Sequence, residues 1–174
     1  MADGLDGAHR VPPWARWCGW VAVAAAMPTV VWRVVVGAGA SLGTPEHWRQ
    51  VQRLPGSGTG YVVSLSVIQV CAALLTFVLI RPGADRIPQW SPLAPGRRLS
   101  RRVVVGSSAA GVCALTVLCI ASVANWAKVD PFAGAEMTGW AWLCIASYAA
   151  ALVWPPALAA ATVGYARTRR VPVP

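Results

Sequence analysis

The chain has 174 residues, of which 56% are hydrophobic and only 12% charged, with a mean hydropathy of +0.54. A water-soluble domain carries about twice that charged fraction. The net charge of +9 would suit a nucleic-acid partner if it lay on a soluble face. It lies instead beside apolar runs long enough to cross a bilayer, which takes about 20 residues, so nucleic acid is excluded as a partner.

The first apolar span is expected over residues 17–38. Ala38-Gly39-Ala40 resembles a signal-peptide cleavage site. The apolar stretch is longer than a usual signal core and is interrupted by Pro28 and Arg33, which favours an uncleaved anchor. Pro28 lacks the amide that would bond the carbonyl of Ala24, so a bend is expected there. Arg33 falls about 8 Å from the centre of this span at a rise of about 1.5 Å per residue. A charge at that depth snorkels to the headgroups, pairs with Glu46, Asp130 or Glu136, or holds an anion such as a lipid phosphate.

The following loop, residues 39–60, contains a candidate interfacial helix from Pro45 to Val51 with Trp48 as its anchor. Its Gly56-Ser57-Gly58-Thr59-Gly60 stretch lacks the Gly-Lys-Ser/Thr of a phosphate cradle and is expected to be a flexible linker. The second span, residues 61–80, carries Ser66, Gln69 and Thr76 on one helical face. Gln69 is near mid-span and needs a partner, because an unpaired amide in hydrocarbon costs several kcal/mol (~4–8 on transfer scales). Interhelical hydrogen bonding is its expected role, and Arg33 with Gln69 forms the candidate polar site.

Residues 81–102 hold six arginines: Arg81, Arg86, Arg97, Arg98, Arg101 and Arg102. Pro82, Pro88, Pro92 and Pro95 stiffen the loop toward extended geometry. Trp90 is placed to anchor it at the headgroups, with Arg86, Arg97, Arg98, Arg101 and Arg102 facing anionic lipid or a partner. The third span, residues 103–127, repeats small residues as Gly106/Ala110/Ala114 and Ser107/Gly111, spacing that allows close approach within the bundle or to a second copy. Asn125 closes its far end. The fourth span, residues 139–166, contains Pro155-Pro156 and is long enough to need tilt or a bend.

Counting basic residues sets the orientation. Eleven lie in the N-terminal arm, the 81–102 loop and the tail; Arg49, Arg53 and Lys128 lie on the other side. By the positive-inside rule both termini are cytoplasmic, in a bacterial cytoplasmic membrane. Trp14, Trp17 and Trp20 at one end, and Trp32, Trp126, Trp140 and Trp142 at the other, suit an aromatic belt. The five cysteines all fall inside spans without a C-x-x-C pair, which argues against thiol-oxidase chemistry. His9 and His47 are isolated, so no metal site or cofactor is implied. No carboxylate lies inside a span, which counts against a proton-coupled antiporter, and no nucleophile–base pair is recognisable.

Pro88-Gln89-Trp90-Ser91-Pro92, followed by Gly96-Arg97-Arg98, resembles the P-x-W-x-P-x-x-x-G-R inner loop of a family of small four-span bacterial membrane proteins. Trp32-Arg33 and Tyr61 also look like that family, whereas Pro82 stands before Gly83 where the family commonly has Trp. The resemblance implies topology and no activity. The expected architecture is therefore an all-α, integral membrane four-helix bundle with both ends inside. The first functional expectation is a non-enzymatic accessory or structural membrane protein, with lipid, a homo-oligomer or a membrane-protein partner. A small transporter or channel passing Arg33 and Gln69 is the alternative, and a membrane enzyme acting on lipid or isoprenoid the last.

Overall fold

The computed structural model describes residues 11–80 and 100–167, which are α-helical and without strands. Helix α1 (Pro13–Gly37) is followed by the short α2 (Glu46–Val51). Helices α3 (Ser57–Leu75) and α4 (Phe77–Ile80) together form the second long segment, and α5 (Arg101–Ala124) with the single turn α6 (Trp126–Val129) the third. Helices α7 (Gly139–Leu152) and α8 (Trp154–Arg167) form the fourth. All four segments are long and apolar enough to cross a membrane, the architecture of a multi-pass membrane protein.

Several boundaries differ from expectation, each for a local reason. The Gly56–Gly60 stretch is not a linker: Ser57 to Gly60 form the first turn of α3. Thr59 holds this turn, because its Oγ1 accepts from the Gly56 N–H at 3.1 Å and donates to the Gly37 carbonyl at 3.0 Å, joining the end of α1 to the start of α3. A Cβ at Gly58 would strike the Gln52 carbonyl, so the glycine is there for close approach. The fourth segment breaks at Val153, just ahead of the proline pair, so that Pro155 and Pro156 fall in the first turn of α8, where missing amides cost least. Asn125 ends α5 rather than lying within a continuous third span. Helix α1 runs unbroken through Pro28, and the expected helix beginning after Pro45 is present as α2.

Helix α1 occupies the middle, packing against α3, α7 and α8, while α5 packs on α8. Small residues make this possible. Ala15, Gly19, Ala22 and Ala26 line the buried side of α1, and Ala157, Ala161 and Gly164 that of α8. A Cβ on Gly164 would collide with the Ala15 Cβ, and one on Gly19 with the Ile80 side chain. Close backbone approach of this kind lets dispersion contacts hold helices together where water supplies no driving force.

Two apolar clusters result. Toward the end where α1 begins and α8 finishes, Ala22, Ala26, Ala73, Leu79, Ile80, Val104, Trp154 and Leu158 pack together. At the opposite, loop-bearing end, Trp32, Val36, Leu54, Phe132, Ala141 and Cys144 form the second. Trp32 therefore departs from the belt expected of it: it is 6% exposed, with its ring 6.4 Å from that of Phe132. Trp14, Trp17, Trp20, Trp140 and Trp142 are exposed, as rings at a headgroup level would be. Of the small residues of α5, Gly106 and Gly111 have nothing within 4 Å of where a Cβ would stand.

Candidate functional site

Thr29 and Arg33 are one turn apart on α1 and share a face. Gln69 comes from α3 and Tyr148 from α7, and the packing of both helices on α1 brings the four together. The Arg33 Nη1 donates to Gln69 Oε1 at 3.0 Å. The Gln69 amide nitrogen donates to the Ala26 carbonyl at 2.9 Å and to Thr29 Oγ1 at 2.7 Å. Thr29 in turn donates to the Ala26 carbonyl at 3.0 Å. The Gln69 side chain thus uses both donors and its acceptor, and its orientation is fixed by what each neighbour can offer. The Arg33 guanidinium carbon lies 5.6 Å from the centre of the Tyr148 ring, within cation–π range.

The two candidate residues of the polar site are therefore in direct contact. The direction of that contact differs from snorkelling. Arg33 is four residues, or about 6 Å, from the end of α1, and its side chain reaches to Gln69, which lies deeper. Nor does it pair with acid: among the described residues no carboxylate is within ion-pair distance of Arg33, and Glu46 lies instead 3.9 Å from Arg49. Asp130 accepts from the Phe132 N–H at 2.9 Å, bracing the loop that covers Trp32.

These groups line a cavity of about 170 Å³. Its polar wall is Thr29, Arg33, Gln69 and Tyr148; its apolar wall includes Leu65 and Ile68 from α3 and Leu115 and Leu118 from α5. Trp154 also lines it and, although buried, finds no acceptor for its Nε1–H among the described residues. Ser122, Tyr148 and Leu152 are shared with a second, apolar cavity of about 200 Å³ between α5 and α7, across which the Tyr148 ring meets Trp126 edge-on at 5.5 Å.

Sequence reasoning singled out Arg33 and Gln69 and passed over Thr29 and Tyr148. Thr29 had a signal in its spacing, four residues before Arg33 and next to Pro28. Tyr148 had only its character as a polar-tipped ring in an apolar run. Ser66 and Thr76, expected on the Gln69 face, are buried; Ser66 bonds the Val62 carbonyl of its own helix at 2.9 Å, and Thr76 Oγ1 has no partner among the described residues.

Of the expected lipid or partner loop, Arg86, Trp90, Arg97 and Arg98 lie outside the described residues. Arg101 and Arg102 open α5, after Ser100, whose Oγ accepts from the Val103 N–H at 3.3 Å. Among the described residues no group of three or more His, Cys, Asp or Glu could hold a metal. All five cysteines are free thiols. Comparison with protein-family models, with curated proteins and with solved structures yields no match to this chain.

Proposed function

We propose that this protein is a non-enzymatic membrane protein of the bacterial cytoplasmic membrane, with both termini cytoplasmic, that holds an anion at Arg33. One observation carries the reading: a guanidinium lies within an apolar helix, bonded to a neutral amide and facing a cavity, with no carboxylate beside it among the described residues. A charge in low-dielectric surroundings is costly unless paired. An anion supplied from outside the chain completes the site. The positive-inside distribution and the P-x-W-x-P loop support the threading.

The test is thermal unfolding of the full chain in detergent with a panel of acids running from acetate and phosphate to decanoate and a lysophosphatidate. A ligand that binds the folded state raises its stability with concentration. At least one member should stabilise the wild type and leave Arg33→Met unmoved; equal shifts, or none, reject the reading. A carrier role is the second reading, favoured by the depth of Gln69 in the span, and it predicts that Gln69→Leu abolishes flux of the bound anion in proteoliposomes while folding persists.

A further inference from the structure

The access route to Arg33 restricts what the anion can be. Toward the loop-bearing end the bundle is closed by Trp32, Leu54 and Phe132, which are buried against one another. Toward the other end it is closed by Leu79, Ile80, Val104, Trp154 and Leu158. Among the described residues, both of these plugs are built of apolar side chains. The sides differ: α3 packs on α1 and α5 packs on α8, and these two helices line the cavity from facing sides with at most slight contact between them. The flanks of that gap include Leu65, Ile68 and Ala72 on one helix and Leu115, Leu118, Cys119 and Ser122 on the other, with Ile68 and Leu118 exposed. An opening between two apolar helix faces leads to hydrocarbon, not to water.

We infer that the ligand of this site is a single-chain amphiphile whose carboxylate or phosphate head enters sideways between α3 and α5 to meet Arg33, leaving its hydrocarbon chain along Ile68, Leu115 and Leu118. The inference rests on the anion-holding reading above and adds the ligand class and its route. Size agrees with it. A cavity of about 170 Å³ is below the roughly 300–1,000 Å³ that encloses a whole drug-sized ligand. It takes a head group, and the gap takes the rest. Chemistry agrees as well. The guanidinium is held from one side by Gln69 through Nη1 and over the Tyr148 ring, a posture that fixes the fork for an oxyanion. Trp154, with its free Nε1–H, lines the same space.

The experiment uses the full chain in nanodiscs and two photoreactive probes of equal chain length, a diazirine fatty acid and the corresponding diazirine fatty alcohol. Crosslinked peptides are mapped by mass spectrometry. The acid is expected to label the segments 65–72 and 115–122, to be competed by oleate and by lysophosphatidate, and to lose at least tenfold in labelling there in Arg33→Gln. Leu118→Trp, which narrows the gap and leaves the polar wall intact, should reduce labelling several-fold while the unfolding midpoint holds. Labelling by the alcohol at the same peptides and to the same extent overturns the inference, as does labelling spread evenly over all four spans. If acetate or inorganic phosphate stabilises the protein through Arg33 but neither amphiphile labels the gap, the anion site stands and the lateral amphiphile falls. If no acid of any kind responds to Arg33→Gln, both fall.

Discussion

The contact between Arg33 and Gln69 can be weighed by removing each partner and then both. Gln69→Leu keeps the volume and takes away three hydrogen bonds, those with Arg33 Nη1, the Ala26 carbonyl and Thr29 Oγ1. The last two cost little: Thr29 still donates to the Ala26 carbonyl, and neutral interhelical bonds in membranes average about 0.6 kcal/mol each. The bond to the guanidinium is worth more, about 1.5–3 kcal/mol for a charged partner. Gln69→Leu is therefore expected to destabilise the bundle by about 3 kcal/mol, most of it through Arg33. Arg33→Met should cost about the same, since it also forfeits the Tyr148 contact, about 1 kcal/mol. Once the charge is gone, however, an apolar residue at 69 faces an apolar neighbour, and replacing both partners of a buried bond is nearly neutral. The double variant should thus be no worse than the poorer single, about 3 kcal/mol, which is a coupling of about 3 kcal/mol between the two sites. Unfolding in mixed micelles of increasing SDS fraction measures all four free energies. Costs that add to within about 0.5 kcal/mol, the behaviour of independent sites, would refute the view that this bond organises the site.

Glycine substitutions separate packed from open faces. Gly164→Ala drives a methyl into Ala15 at the α1–α8 crossing and should cost about 1–3 kcal/mol, typical of overpacking; Gly111→Ala, with nothing within 4 Å, should be neutral or raise stability by up to about 1 kcal/mol through helix propensity. Both are read from the same SDS titration. Thr59→Val removes the hydroxyl that joins Gly37 to Gly56 and should cost about 1–2 kcal/mol, with faster hydrogen exchange at the first turn of α3 as its signature. For threading, a periplasm-active reporter fused within residues 97–102 should stay silent while one fused within residues 133–136 is active; the reverse pattern would overturn the orientation.

The four apolar segments, their order and the short helix after Pro45 were legible in the sequence because each is a local property of composition and length. The proline pair announced a break in the fourth segment, and the break falls two residues ahead of it at Val153, which leaves both prolines in the first turn of α8. Gly56–Gly60 misled: five small and polar residues read as a linker in isolation, and the Gly37 carbonyl, 22 residues before Thr59, together with the nearby Gln52 backbone, turns them into a helix start. Trp32 misled likewise. A tryptophan near a span end belongs at a headgroup level unless a loop folds over it, and Phe132 and Leu54 do so.

By itself, the sequence determined that four apolar helices form and that two polar side chains, Arg33 and Gln69, would need partners inside them. It could not say that they partner each other, since the pair is separated by 36 residues and by the packing of two helices. Tertiary structure decided that, together with the recruitment of Thr29 and Tyr148 and the gap between α3 and α5. The physical reason is that hydrophobicity is summed along the chain, whereas hydrogen bonds and cavities depend on which faces meet. Here the small residues of α1 and α8 set which faces those are.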